Sequence, residues 1–209
     1  VRVIVLDTGI GNLRSVEKAI AAAAKRAGLT GVEVERTRDP EVVRAADKLV
    51  FPGQGGFRDC MQALAGGLGD ALLERLRAGT PYLGICLGLQ VLFDSSAEAP
   101  ESPGLGWFAG RVLRLSPEGG IKIPHVGWNQ LELAAPPHRL LAPAGDGAWF
   151  YFVHSFFAVP EDASIVAAVA THGSNRITAA AARDNVFAVQ FHPEKSQDNG
   201  LGLIAEFLR

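Results

Sequence analysis

The segment Gly84-Ile85-Cys86-Leu87-Gly88 sets a thiol between two glycines, and His192-Pro193-Glu194 sets an imidazole two residues from a carboxylate. A thiolate is a nucleophile, an imidazole can take and return its proton, and a carboxylate can hold one imidazole tautomer and stabilise the imidazolium. These are the parts of a Cys-His-Glu triad, in which chain order is no constraint. Gly84-x-Cys86-x-Gly88 is the cysteine form of the nucleophile elbow, where a buried strand turns sharply into a helix. That reading predicts strained backbone at Cys86, and glycines at 84 and 88 because strand and helix crowd there. It also predicts a sulfur at a helix N-terminus, where the dipole favours thiolate, and a Leu87 N–H aimed at a developing oxyanion. The competing readings are a buried structural cysteine between unrelated glycines, and an exposed strand end carrying two solvated side chains. Each motif alone leaves that contest open; their presence in one chain favours the triad.

The elements needed to position such a site are legible on both sides. Val3 to Leu6 is a continuous apolar run, as in a parallel strand buried on both faces. A turn over Asp7-Thr8-Gly9-Ile10-Gly11-Asn12 leads to an alanine-rich helix, with Asn12 as N-cap and Gly28 as terminator. The turn lacks the Lys-Ser/Thr and the glycine spacing of phosphate loops. Strands are expected over 32–37 and 48–51, with a short helix from Asp39-Pro40 between them. Pro52-Gly53-Gln54-Gly55-Gly56 follows, with three glycines in five residues. Such a loop brings backbone N–H groups close to a ligand, and Gly53, Gln54 and Gly55 are the candidate second half of an oxyanion hole. Helices are expected over 57–64, carrying Cys60 among core positions, over 70–78, and from Leu87 to about Phe93. A polar loop spans 94–103.

Beyond Trp107 the pattern changes to short strands and turns, with candidate strands at 111–115, 129–133, 149–153 and 165–171. The expected architecture is therefore α/β, a central, mostly parallel sheet flanked by helices, with an antiparallel β excursion in the C-terminal half. Pro124–Asn129 and Tyr151–Phe156 set polar residues in aromatic runs; spacing alone leaves them as strand ends or as a site. The last strand, 186–191, delivers His192. In an extended segment residues two apart face the same way, so His192 and Glu194 are expected to point together, stiffened by Pro193. A helix over about 202–208 closes the pattern.

Composition bounds the function classes. The 209 residues are 48% hydrophobic and 20% charged, with a formal net charge of -2 and no basic stripe, which disfavours nucleic acid and membrane surfaces as partners. Two cysteines form no disulfide framework and no CxxC metal signature. No stretch reaches the roughly 20 apolar residues of a membrane helix. The expected setting is reducing and cytoplasmic.

Gly84–Gln90 together with Phe191-His192-Pro193-Glu194 resembles the triad-type, class I glutamine amidotransferases. Within that family the chain is similar to the glutaminase subunits of imidazole glycerol phosphate synthase. The residues that carry this are Gly11–Ser15, Pro124–Asn129, Tyr151–Ser155 and His192–Ser196, with Gly127-Trp128-Asn129 the discriminating piece. The likeness spans essentially the whole chain. It departs from the usual pattern at Thr8, Gln54 and Phe156.

The resemblance implies one glutamine amidotransferase domain over residues 1–209 and a class I amidotransferase fold. Catalytic roles fall to Cys86, His192 and Glu194, and oxyanion donors to Leu87 and the Gly53-Gln54-Gly55 loop. Gln90, Glu98, His154 and Ser155 would hold the substrate glutamine. It implies no cofactor and no metal. It implies a heterodimer with a (β/α)8 cyclase subunit of the synthase, which would receive the ammonia, with Asn12, Pro124, Trp128 and Lys195 at the interface. Three alternatives stand beside it: the glutaminase of another biosynthetic synthase, a catalytically silent interaction module on the same fold, and a stand-alone thiol hydrolase.

Overall fold

A computed structural model describes residues 1–9 and 11–209; Ile10, within the segment 7–12 expected as a turn, lies outside the described residues. The chain opens with β1 (Arg2–Leu6), α1 (Leu13–Arg26), β2 (Glu33–Thr37), α2 (Pro40–Arg44), β3 (Lys48–Gly53), α3 (Phe57–Leu64), α4 (Leu68–Arg77) and β4 (Tyr82–Cys86). It continues through α5 (Leu87–Gln90), β5 (Phe93–Ser96), β6 (Phe108–Arg114), β7 (His125–Gln130), β8 (Glu132–Leu133), β9 (Trp149–His154) and β10 (Phe156–Pro160). It closes with β11 (Val166–His172), β12 (Asn175–Arg183), β13 (Val186–Val189) and α6 (Gln197–Leu208).

The main sheet has eight strands in the order β2-β1-β3-β4-β13-β12-β11-β8. The β2 to β13 half is parallel and the β12, β11 and β8 edge is antiparallel. Strand alternation sorts its side chains into two cores. Val3, Val5, Val50, Leu83, Ile85, Phe187 and Val189 pack under α1 and α6 on one face. Ile4, Leu6, Leu49, Phe51, Tyr82, Val186 and Ala188 pack under α2, α3 and α4 on the other. This is why the apolar runs of β1 and β3 are continuous rather than alternating. The face that α1 buries carries Leu13, Val16, Ala19, Ile20, Ala23 and Ala24, at helical spacing, and Asn12 caps it by accepting from the Ser15 N–H at 3.3 Å. No helix among the described residues is long and apolar enough to cross a membrane.

The structure corrects one local expectation and adds detail to the rest. The elbow helix stops at Gln90, and Phe93–Ser96, read as helix end and polar loop, is a strand paired in parallel with β6. The antiparallel strands expected in the C-terminal half are present and lie in three places: β11 and β12 extend the main sheet, β6 joins β10 and β5, and β7 pairs β9 as a separate ribbon. The Ala179–Ala182 run is the middle of β12, squeezed between β11 and β13. Its small residues have weak strand propensity, and pairing on both sides overrides it.

Candidate functional site

β4 is central, flanked by β3 and β13, and ends at Cys86 with φ 54° and ψ -100°. A non-glycine residue at positive φ is strained, and the surrounding packing holds it there. A Cβ on Gly84 would lie 2.5 Å from the Gly88 carbonyl oxygen, and one on Gly88 would lie 2.0 Å from the Phe51 carbonyl oxygen. The elbow thus fits only without side chains at both positions. The buried Tyr82 hydroxyl donates to the Gly88 carbonyl at 2.7 Å, tying the turn back to its own strand. Helix α5 is only four residues long, so its dipole is less than the sequence reading assumed. Cys86 makes no side-chain capping bond at its start, and the Leu87 N–H has no partner within the helix.

Because β13 runs parallel to β4, with Val189 opposite Ile85, the chain leaves both strands at the same edge of the sheet. That brings residues 190–194 beside Cys86. His192 is extended, but Pro193–Lys195 forms a 3₁₀ turn rather than continuing the strand. The turn, not strand alternation, brings His192 Nδ1 to 2.8 Å from Glu194 Oε1. The His192 N–H donates to the Tyr151 carbonyl at 2.8 Å, and the Ser196 hydroxyl donates to the His192 carbonyl at 2.7 Å while accepting from the Tyr151 N–H at 3.0 Å. The segment is therefore pinned to β9. The His192 and Glu194 side chains are 1% and 3% exposed. With Nδ1 engaged, His192 Nε2 is left buried without a hydrogen-bond partner among the described residues, and available to Cys86. Burial pulls the imidazole toward neutrality, but the Cys86 thiolate and then Glu194 outweigh it and push His192 up to about 10.

A cavity of about 310 Å³ lies over the elbow. Gly53, Gln54, Gly55, Cys86, Leu87, Gln90, Glu98, His154, Ser155 and His192 line it, as do Val153, Phe156 and Lys195. Glu194 shares a second, very small cavity with His192, Asn12, Gly53 and Gln54. Glu98 is more than a solvated loop residue: its Oε2 accepts from the Phe57 N–H at 3.0 Å, capping α3, whose N-cap Gly56 has no side chain to do so.

His154 reaches the cavity as part of a buried chain. Its Nδ1 lies 2.9 Å from the Phe156 carbonyl, which can only accept, so the proton is on Nδ1. Its Nε2 then accepts from His125 Nδ1 at 3.1 Å, and His125 Nε2 accepts from the Asn129 amide at 3.3 Å. Burial pushes His154 down to about 3 and His125 down to about 4, with the neighbouring histidines adding to the effect.

The residues expected at an interface are more scattered. Asn12 caps α1, Pro124 is exposed at the entry to β7, and Trp128, 42% exposed, meets Tyr151 edge-on. Lys195 lies over the Tyr151 ring and also lines the cavity. The sequence reading missed Gln190, which is fully buried and donates from Nε2 to Cys86 Sγ at 3.5 Å. Its signal was available: a lone polar residue inside the apolar run 186–191, two positions before the histidine. Cys60 lies at the opposite extreme, packed in the α3 core, where burial pushes its thiol up to about 12.

A strained cysteine at the end of a central parallel strand, an imidazole–carboxylate pair beside it and a cavity over both are suited to nucleophilic acyl transfer. The model of the family described as "Glutamine amidotransferase class-I" matches residues 5–208, and the chain belongs to that family. Among its relatives, "Imidazole glycerol phosphate synthase subunit HisH" of Gloeobacter violaceus is 48% identical over 204 residues, which is 97% of this chain and 87% of the relative. The protein of the same name from Methylococcus capsulatus is 47% identical over 214 residues, covering 99% of this chain and 95% of its own. Solved structures share the fold. "Structure of PurLQS from Thermotoga maritima" aligns with a TM-score of 0.73 at 19% identity, over 99% of this chain and 97% of that one. "Crystal structure of glutamine amidotransferase" aligns at 0.67 and 24% identity, over 95% and 94%.

Proposed function

We propose that this chain is the glutaminase subunit of an imidazole glycerol phosphate synthase, a single amidotransferase domain over residues 1–209 that works in the cytoplasm. The observation that carries the chemistry is the strained Cys86 beside the buried His192–Glu194 pair, at the floor of one cavity. The Cys86 thiolate attacks the side-chain amide carbon of glutamine. The tetrahedral oxyanion is held by the Leu87 N–H and by a backbone donor of the Gly53–Gly55 loop; one such donor contributes about 3 kcal/mol. As the C–N bond breaks, His192 gives its proton to the leaving nitrogen and ammonia departs. Water then loses a proton to His192 and attacks the thioester, releasing glutamate and restoring the thiolate–imidazolium pair. Glu194 keeps the imidazole in the tautomer with Nε2 toward the sulfur. Gln90, Glu98, His154 and Ser155 hold the substrate, with a carboxylate available for its α-ammonium group.

Ammonia released into water would be protonated and lost as a nucleophile, so the reading includes a (β/α)8 cyclase docked over the cavity mouth. The outer face of the β7–β9 ribbon supports this: Val126, Trp128 and Trp149 are 56%, 42% and 50% exposed, and Tyr151 and Lys195 continue the face to the cavity. Exposed aromatics of this kind are interface anchors. Asn12 and Pro124 complete the proposed contact.

The test is glutamate release from glutamine by this chain alone, with the cyclase, and with the cyclase plus its nucleotide substrate. Strong stimulation in the last mixture, abolished by Cys86→Ala, is expected; the Ala variant should still support synthesis from free ammonia. Full activity of the chain alone would favour an independent hydrolase. Complex formation without activity would favour the silent module.

A further inference from the structure

A nucleophilic role for Cys86 needs its sulfur as a thiolate in a buried site whose helix is one turn long, and two hydrogen-bonding groups meet that sulfur: the Val153 carbonyl at 4.0 Å, which a thiol could donate to, and the closer Gln190 amide. Gln190 is 0% exposed, and its Nε2 lies 3.5 Å from Cys86 Sγ. An amide can face a sulfur with its NH₂ or with its oxygen, with opposite consequences: the first stabilises a thiolate and the second repels it. The network decides between them. The Phe156 carbonyl can only accept, so the Gln90 end that meets it at 2.9 Å is Nε2. The other hydrogen of Gln90 Nε2 goes to Gln190 Oε1 at 3.1 Å. Gln190 therefore has its oxygen toward Gln90 and its NH₂ toward the sulfur. Flipping Gln190 would set NH₂ against the NH₂ of Gln90, a buried clash.

We infer that Gln190 holds Cys86 as a thiolate through an N–H···S bond, and that Gln90 is the positioning residue that keeps the NH₂ end of Gln190 on the sulfur. This rests on the reading of Cys86 as nucleophile. The titratable groups around the sulfur are His192, with Glu194 behind it, and His154, Glu98 and Lys195 on the cavity wall. Gln190 differs from them all in carrying no charge, so its hold on the sulfur is constant with pH. It also needs the sulfur in return, since a fully buried amide donor without an acceptor is unfavourable.

The experiment is the pH dependence of Cys86 alkylation by iodoacetamide, followed by peptide mass analysis so that the buried Cys60 does not contribute. Wild type is compared with Gln190→Met, which keeps the length of the side chain and removes the donor. A hydrogen bond to a charged group is worth about a factor of ten in the ionisation equilibrium. The alkylation midpoint should therefore rise by about one pH unit. kcat of the complete synthase should fall, by up to about tenfold, at pH values below the wild-type midpoint and recover as pH is raised above the variant's midpoint, a recovery that a packing defect would not give. Gln190→Glu, of the same shape and still an acceptor for Gln90, should raise the midpoint further by repulsion. If the Met variant does not fold, the Glu variant decides by the same readout. A midpoint equal to wild type in a folded Gln190 variant would overturn the inference. Failure of the underlying reading looks different: Cys86→Ala would turn over glutamine normally, whatever the midpoints.

Discussion

Replacing Cys86 with alanine should change the proton on His192 as much as it changes the chemistry. His192 is 1% exposed, and burial, the largest single influence on it, favours the neutral ring. The Cys86 thiolate is the largest opposing influence and Glu194, 2.8 Å away, the next. Their sum raises the imidazole from the usual 6.5 to about 10, a preference for the charged ring of about 5 kcal/mol. Alanine removes the thiolate and leaves burial opposed by Glu194 alone. An opposite charge at close range shifts a pKa by about 1–3 units, so the His192 midpoint should fall by about two pH units. Imidazole nitrogen NMR of isotopically labelled protein reads this directly. The linked effect on stability has a definite sign. A raised histidine stabilises the fold fully below 6.5, and that contribution is lost as pH rises from 6.5 through about 10. Urea unfolding at pH 7 and pH 10 should thus show a larger loss for wild type than for Cys86→Ala. A His192 midpoint that stays near 10 in the variant would refute the thiolate–imidazolium pair.

Three further outcomes are expected. Gly88→Ala, whose Cβ would lie 2.0 Å from the Phe51 carbonyl oxygen, should lose stability by at least about 1–3 kcal/mol and misplace the elbow; urea unfolding and glutaminase rates check it. Cys60→Ser should retain turnover in the stimulated complex, because Cys60 lies in the α3 core and not in the cavity. Acid should weaken the fold before carboxylates titrate. His125 and His154 are held down to about 4 and about 3, so the unfolded chain binds more protons below 6.5 and stability falls from there toward pH 4. His154→Phe should flatten that loss in thermal melts between pH 7 and pH 4, and an unchanged slope would contradict the neutral pair.

Much of the fold was legible because its signals are local. β1 and β3 are apolar on both faces, α1 has an N-cap and one buried stripe, and α3 matched its expected span residue for residue. The strand at 93–96 was not legible, since its pattern is polar and only pairing with β6 makes it a strand. The alanines of β12 carry little strand signal of their own, and pairing with β11 and β13 makes them a strand. The His192–Glu194 contact was anticipated for the wrong reason: alternation along a strand predicts shared direction, whereas Pro193 starts a 3₁₀ turn that closes the distance.

For the candidate site, residue types and two short spacings were enough to nominate Cys86, His192 and Glu194 and the glycine loop, because steric crowding, nucleophilicity and proton transfer each demand particular side chains. What only tertiary structure decided is which groups share a wall. The parallel register of β4 and β13 brings residues 86 and 190–194 to one sheet edge. Glu98 caps α3 from across the cavity, and Gln190 meets the sulfur with its amide orientation dictated through Gln90 by the Phe156 carbonyl. Those contacts join residues far apart in sequence, and hydrogen bonds are short-ranged and directional, so their partners exist only once the sheet and the β9–β10 segment have closed around Cys86.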